Sequence, residues 1–323
     1  MIRHAFLAVA LVLAVPAVAQ DAYPAKPVKL IVPFPPAGGT DVLSRAIAQA
    51  ISSQSPGFVF VVDNRPGAGG NIGLEAAAKS PPDGYTIAMG QTANLAVNPA
   101  LYTKMPFDPL KDFAPIALVS TSNSVLVANP SLNVANLNEL IALLKSKPGA
   151  LNYASAGSGN MTHLIMEFFK LKSGTDIVHV PYRGAGPALN DVLAGHAAMM
   201  VINPGPTEAH VKAGRLRALA VTGVKRIDLL PEVPTFAELG YPMPEVDYGT
   251  TFGMLAPAGT PPATIATLHK ALTEVLAEPQ LRQRIKSMGF EATLTSPEQY
   301  ADILRDQVEK WRPLIERAGM SLN

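Results

Sequence analysis

The amino-acid sequence predicts an α/β protein with mainly parallel sheets. Short segments rich in β-branched residues alternate with helical segments along the chain, and this alternation is typical of strand–helix–strand units. The 25 glycines and 30 prolines lie between these periodic segments, where they mark turns and do not indicate disorder. With 323 residues, the chain is long enough for two lobes with well-formed cores.

The predicted elements follow one another in a regular order. The predicted strands are 28–32, 58–62, 86–89, 116–119, 125–128, 151–154, 177–180, 199–202 and 219–221. The predicted helices include 41–51, 136–145, 161–172 and 187–193, and the segment 262–318 is almost purely helical. No helix separates strands 116–119 and 125–128, so we expect the chain to cross between lobes there and to return near 247–253. The predicted lobes are 20–121 with 250–323, and 122–249.

The N-terminus has the pattern of a secretory signal peptide. Arg3 provides the positive start, residues 5–15 form an apolar run, and Ala17-Val18-Ala19 is a cleavage site of the A-x-A type. Cleavage after Ala19 starts the mature chain at Gln20 and places the protein in the periplasm. An uncleaved N-terminal anchor is the alternative, although the apolar run is shorter than the roughly 20 residues that a spanning helix needs.

Composition argues against several classes of function. The chain has no cysteine, so disulfides, thiolate metal sites and a lipid-bearing cysteine are impossible. The net charge is +1 and there is no run of lysine and arginine, which argues against nucleic acid as a partner. The six histidines contain no H-E-x-x-H pair, so we expect neither a catalytic metal nor another cofactor.

Two glycine-rich loops connect a predicted strand to a predicted helix. The first ends in Gly38-Gly39-Thr40-Asp41, and the second runs from Ser155 to Asn160. Bare backbone N–H groups at a helix N-terminus attract anions, so both loops are candidates for carboxylate binding. Thr40 and Asp41 have the alternative role of a helix N-cap. His163, in the first turn of the helix after the second loop, either faces the cleft or caps the fold.

Further loops lie at the same end of other predicted strands. The loop at 63–71 is either a ligand contact or a tight turn. Arg183, in the loop 180–187, is the candidate for a bidentate grip on a carboxylate, with a salt bridge within the lobe as the alternative. Asn203 follows strand 199–202. Because ligands bind at the carboxyl ends of strands in open α/β sheets, we expect these loops to share one cleft.

The sequence lacks the motifs of the enzymes that use such loops. Ser158 is flanked by Ala156 and Asn160 where a nucleophile elbow requires glycines. The glycines at 67, 69 and 70 do not complete G-x-G-x-x-G, since position 72 is Ile, and no G-x-x-x-x-G-K-[ST] occurs. The sequence therefore favours a binding protein over an enzyme.

Several motifs in a fixed order resemble one family of receptors. The matching stretches are 23–28, 33–41, 63–70, 82–86, 180–184, 230–235 and 256–261. With these motifs the chain resembles the solute-binding proteins of tripartite tricarboxylate transporters, also called Bug receptors, over nearly the whole mature chain. The resemblance implies a type II periplasmic-binding-protein-like fold, in which two α/β lobes are joined by two crossover strands and close on the ligand.

The resemblance also implies a function and a site. The loop around Gly38-Gly39 and the loop 155–160 would grip a small carboxylate, which is a di- or tricarboxylate, an amino-acid carboxylate or an aromatic acid. The expected partners are large and small integral-membrane transporter subunits or, alternatively, a membrane sensor, and a monomer is expected. A periplasmic hydrolase is the alternative from another class. The candidate ligand-binding residues are Phe34, Ala37, Gly38, Gly39, Thr40, Asp41, Gln91, Ser155, Ala156, Gly157, Ser158, Gly159, Asn160, His163, Arg183 and Asn203.

Overall fold

The computed structural model of the protein describes residues 23–244, 246, 249–317 and 321–322. The predicted signal peptide and residues 247 and 248 of the predicted second crossing lie outside these residues. The strands are β1 (Val28–Val32), β2 (Phe60–Asn64), β3 (Thr86–Gln91), β4 (Phe113–Ser122), β5 (Val125–Ala128), β6 (Asn152–Ser155), β7 (Val178–Pro181), β8 (Met199–Ile202), β9 (Arg217–Val221), β10 (Thr250–Pro257) and β11 (Glu291–Ala292).

Helices connect most of these strands. They are α1 (Gly39–Gln54), α2 (Asn71–Ala78), α3 (Asn98–Leu101), α4 (Leu137–Ser146), α5 (Met161–Ser173), α6 (Ala185–Ala194), α7 (Glu208–Lys212), α8 (Pro262–Ala277), α9 (Pro279–Ser287) and α10 (Pro297–Arg317). In the part of the chain that the structure describes, no helix is both long and apolar enough to cross a membrane.

The strands form two mixed sheets. The first has the order β11-β4-β10-β3-β1-β2 and the second has the order β7-β6-β8-β5-β9. Parallel pairing joins β1 to β2 and β3, and joins β6 to β7 and β8. The pairs made by β4, β5, β9, β10 and β11 are antiparallel, so the parallel share is smaller than predicted. Four of these five antiparallel pairs involve β5 or β10, the strands that enter their sheets from the other sheet and not through the crossover connection that parallel neighbours need.

The chain passes between the sheets where the sequence suggested. β4 ends at Ser122 in the first sheet, and β5 begins at Val125 in the second, with only Asn123 and Ser124 between them. The return is made by β10, which lies between β3 and β4 in the first sheet. The cleft described below lies beside these two crossings.

Apolar spacing explains how α1 is held on the first sheet. Leu43, Ile47 and Ile51 recur every four residues, are buried, and pack in one cluster with strand residues such as Leu30. The helix begins at Gly39, two residues before the predicted start. β2 begins two residues later than predicted because the backbone of Phe58 is still engaged in the turn that follows α1.

The C-terminal helix α10 links the cores of the two sheets. It contacts β4 of the first sheet, and the ring of Trp311 lies 5.8 Å from that of Phe168 on α5, which packs on the second. Leu101 and Phe169 are buried in the same cluster. The prediction of a nearly all-helical C-terminal segment is confirmed, with the two-residue strand β11 as the exception.

Candidate ligand cleft

A cleft of about 350 Å³ lies between loops of the two sheets. Its walls include the segments that follow β1 in the first sheet and β6, β7 and β8 in the second. Ten predicted residues line it: Phe34, Ala37, Gly38, Gly39, Thr40, Gln91, Ala156, Asn160, Arg183 and Asn203. Six predicted residues lie outside the lining: Asp41, Ser155, Gly157, Ser158, Gly159 and His163. The structure thus brings four predicted loops together at the carboxyl ends of their strands.

The N-terminus of α1 opens directly onto this cleft. Gly38 is the N-cap and has no side chain that could cap the helix. The backbone N–H groups of Gly39 and Thr40 find no acceptor among the described residues. N–H groups in the first turn have no partner inside the helix and form the positive end of its dipole. They are therefore available to an anionic ligand.

Gly39 also makes room for an aromatic wall. A Cβ atom at this position would lie 3.2 Å from Cζ of Phe290, closer than ordinary contacts between carbon atoms. The ring of Phe290 meets that of Phe252 edge to face, with centroids 5.2 Å apart. A larger residue at 39 would therefore displace the Phe290 ring as well as narrow the approach to the backbone.

Asp41 supports the first loop from behind and does not line the cleft. It is 2 % exposed, and its carboxylate accepts hydrogen bonds from the Ala37 N–H, Arg45 Nε and Asn64 Nδ2, each at 2.9 Å. Burial acts to raise the pKa of Asp41, but these hydrogen bonds and the Arg45 charge hold it below its ordinary value. Asp41 is therefore not the N-cap of α1, which is Gly38, and its ligand contact stays a prediction beside this anchoring role.

The second loop satisfies most of its own backbone. Three of its N–H groups donate to nearby side chains: Ala156 to Thr162 Oγ1, Gly157 to Ser155 Oγ and Gly159 to His163 Nδ1. The N–H of Asn160 donates to the Gly157 carbonyl, and Asn160 Oδ1 in turn accepts from the Thr162 N–H of α5. Of the amides at 156–160, only that of Ser158 has no acceptor among the described residues, and only Ala156 and Asn160 of the predicted loop line the cleft.

A partly buried polar stack lies beside the second loop. The imidazoles of His163 and His179 lie 4.1 Å apart, centroid to centroid, and Tyr153 stacks on the other face of His179. Burial lowers the pKa of His163, and burial with repulsion from His163 lowers the pKa of His179 to about 4. His179 Nε2 lies 2.6 Å from Ser155 Oγ. Because Ser155 is fully buried, this pair cannot attack a ligand in the cleft.

Arg183 stands at the cleft with no partner among the residues that the structure describes. It lines the cavity and is exposed, and its guanidinium makes no ion pair or hydrogen bond with the described residues. The salt bridge considered as an alternative does not form within the part of the chain described here. The guanidinium is free to bind a planar carboxylate bidentately.

Asn203 lines the cleft, but its amide nitrogen connects the two lobes. Nδ2 donates to Ser122 Oγ at 2.6 Å and to the Gly289 carbonyl at 3.0 Å. Its Oδ1 accepts from the Gly205 N–H. Both ends of the side chain are therefore engaged, and its main structural contribution is to hold the lobes together beside the cleft.

The sequence interpretation missed several residues that line the cleft. They are Ser122, Ser124, Met161, Thr162, Thr250, Phe252 and Phe290, among others. Most of these seven lie on or next to the crossing strands, and none of the seven belongs to a glycine-rich loop. The prediction of two crossings was the available signal, because segments that pass between lobes border the cleft that the lobes enclose.

The chain matches a known family of receptors over most of its length. Residues 43–320 match the TctC family, described as tripartite tricarboxylate transporter family receptor. The chain belongs to this family. The chain is also similar to Protein BugT of Bordetella pertussis, with 38 % identity over 306 residues, covering 94 % of this chain and 93 % of BugT.

Two solved structures resemble this receptor closely. The periplasmic binding protein BugD has a TM-score of 0.86 and 32 % identity, covering 93 % of this chain and 99 % of BugD. An R. palustris protein solved with adipate has a TM-score of 0.87 and 33 % identity, with coverage of 93 % and 99 %. The predicted two-lobed, periplasmic-binding-protein-like fold is confirmed, and the receptor is a solute-binding protein.

Proposed function

We propose that this receptor acts as a monomer in the periplasm, where it captures a small organic carboxylate for a tripartite tricarboxylate-type transporter. The large and small integral-membrane subunits of that transporter would receive the ligand. The signal-peptide pattern of residues 1–19 supports export. The adipate bound to the R. palustris protein supports a carboxylate as the ligand.

The observation that carries the proposal is the unpaired Arg183 guanidinium on the same cleft as the free N–H groups of Gly39 and Thr40. A guanidinium supplies a fixed charge, and helix N-terminal amides supply oriented dipoles. Their combination suits a carboxylate. The buried Ser155 is held by His179, which supports binding without turnover.

Arg183→Ala should weaken binding of a carboxylate by about 1.5 to 3 kcal/mol, the range for hydrogen bonds to a charged group. Isothermal titration of the mature protein with a panel of aliphatic and aromatic acids measures this change. Arg65→Ala is the matched control, because Arg65 pairs with Asp63 at 2.9 Å and does not line the cleft. Equal affinity in the Arg183→Ala and wild-type proteins would remove Arg183 from the site.

Delivery to a transporter requires a test in cells. Deleting the gene and measuring uptake of the identified acid separately from gene induction distinguishes transport from sensing. Loss of uptake is the expected result. Loss of induction with normal uptake would contradict the transport role and indicate a membrane sensor as the partner.

A further inference from the structure

Three buried polar side chains that line the cleft have no hydrogen-bond partner among the described residues. Gln91, Ser124 and Thr250 are 6 %, 7 % and 7 % exposed. In the described part of the chain, none of these side chains makes a hydrogen bond. Buried polar groups are almost always hydrogen-bonded, so these three are placed to bind ligand or ordered water.

The sheet brings these three residues to one region, which we call the crossing patch (Gln91, Ser124 and Thr250). Gln91 ends β3 and pairs with Phe252 of β10. Thr250 lies two residues before Phe252 and so on the same face of β10, and both line the cleft. Thr250 also pairs with Ser122, two residues before Ser124. The crossing patch therefore spans both chain crossings.

The crossing patch is neutral, and so is most of the cleft. Among the described residues that line it, Arg183 alone is charged. Phe34, Phe252 and Phe290 provide aromatic walls. A second carboxylate on the ligand would meet no second cation, and burying an uncompensated charge is costly. A hydroxyl or carbonyl group would satisfy the crossing patch without that cost.

The second loop offers little to a second carboxylate. The N–H groups of Ala156, Gly157 and Gly159, and that of Thr162 in α5, already donate to side chains of the loop and its helix. In this segment of the cleft lining only the Met161 N–H has no acceptor among the described residues. The N-terminus of α6 also lies at the cleft, but its residues Ala185 and Gly186 adjoin Arg183, so the positive features outside α1 gather around the one charged side chain.

We infer that the ligand is a small monocarboxylic acid with an apolar body and one uncharged hydroxyl or carbonyl group that binds the crossing patch. This inference rests on the proposed function and specifies the class of acid. The cleft of about 350 Å³ is at the small end for ligand pockets, as such an acid requires. The inferred ligand class differs from that of the relative solved with adipate, which is a dicarboxylate.

Two matched sets of acids test the inference by isothermal titration. The first is benzoate, 3- and 4-hydroxybenzoate and terephthalate, and the second is hexanoate, 6-hydroxyhexanoate and adipate. Within the set that binds, a hydroxylated monoacid should bind roughly 5- to 20-fold tighter than the plain monoacid, as expected for one or two added hydrogen bonds. The diacid should bind at least about tenfold more weakly than the hydroxylated acid.

Variants connect the hydroxyl preference to the crossing patch. Thr250→Val and Ser124→Ala should each reduce the advantage of the hydroxylated acid by roughly 2- to 10-fold while leaving the plain monoacid nearly unchanged. Thr267→Val is the control, because Thr267 lies on the exposed surface of α8 and bonds to its own helix. Thermal unfolding checks that each variant is folded.

The outcomes separate this inference from the proposed function. A diacid that binds tighter than both monoacids overturns the inference and leaves a carboxylate receptor. A hydroxyl that adds no affinity, or an advantage that survives both variants, also overturns it. If no acid of either set binds, the proposed carboxylate function itself is contradicted, and the inference with it.

Discussion

The two glycine-rich loops at the cleft look alike in sequence and differ in what their backbones offer. Both follow a strand and precede a helix, the first at 34–41 and the second at 155–160. In the first loop the N–H groups of Gly39 and Thr40 are free. In the second, side chains of the loop and of α5 accept from the N–H groups of Ala156, Gly157 and Gly159, and Asn160 caps α5. The same motif therefore produces one open anion site and one largely self-satisfied turn.

The difference follows from the acceptors that each loop contains. The first loop has only prolines, alanine and glycines between Phe34 and Thr40, and of the two polar side chains that follow, Asp41 accepts the hydrogen bond of the Ala37 N–H. The second loop and the turn after it carry Ser155, Asn160, Thr162 and His163. Glycine spacing shows where no side chain covers the backbone. Nearby side-chain acceptors then decide whether the backbone N–H groups remain free.

The largest effect should come from removing the anchor of the first loop. Asp41→Ala leaves the Ala37 N–H, Arg45 and Asn64 without their shared acceptor, and we expect it to lower the free energy of unfolding by about 2 to 4 kcal/mol. Urea denaturation measures this. Ligand affinity should fall too, because the α1 N-terminus loses its fixed position.

Asp63→Ala is the control for Asp41→Ala. Asp63 pairs with Arg65 near the surface, and such pairs contribute about 0 to 1 kcal/mol. If the two variants lower the free energy of unfolding by the same amount, Asp41 does not anchor the loop. Its predicted role in direct ligand contact would then be favoured.

Much of the fold could be predicted because its signals are local. The strands at 125–128 and 199–202 agree with β5 and β8 residue for residue, since each is a short apolar run bounded by polar or turn residues. The crossing between β4 and β5 was predictable from the missing helix. The mixed character of the sheets was not, because strand direction depends on pairings such as β3 with β10, which are distant in sequence.

The site was predictable where loops follow strands and unpredictable where side chains meet through tertiary contacts. Arg183 was found from its loop. Phe290 lies beyond α9 and reaches the cleft only because Gly39 leaves space for its ring. The capture of loop amides by Thr162 and His163 depends on the turn geometry, which residue types alone do not specify. Thr250 faces the cleft by the alternation of β10, whose register the sequence left open.

The second prediction concerns the polar stack beside the second loop. His179 stays neutral in the folded protein until about pH 4, whereas an unfolded histidine binds a proton near pH 6.5. The unfolded state therefore gains protons as pH falls from 6.5 to 4, and stability present above pH 6.5 is lost across this window. We expect a loss of about 2 kcal/mol between pH 7 and pH 4.5, measured by urea denaturation.

His179→Asn should flatten this pH dependence, with the surroundings of His163, Glu167 and Lys170 retained. His196→Asn is the control, because His196 is exposed and 72 % of its side chain is accessible. The first loop carries no histidine, so its contribution to the free energy of unfolding should not change between pH 7 and pH 4.5. An unchanged slope in His179→Asn would show that the stack does not hold a neutral imidazole.

The smallest effect is expected from a variant that frees an amide of the second loop, so that this loop becomes more like the first. Thr162→Val removes the acceptor of the Ala156 N–H in a residue that lines the cleft, at a cost of about 1 kcal/mol in stability. The freed amide would then be available to a carboxylate, so affinity should rise a few-fold, about 1 kcal/mol at most, by isothermal titration. Thr267→Val should change neither quantity. A loss of affinity would mean that Thr162 Oγ1 itself binds the ligand, and the contrast between a free and a self-satisfied loop would then be wrong.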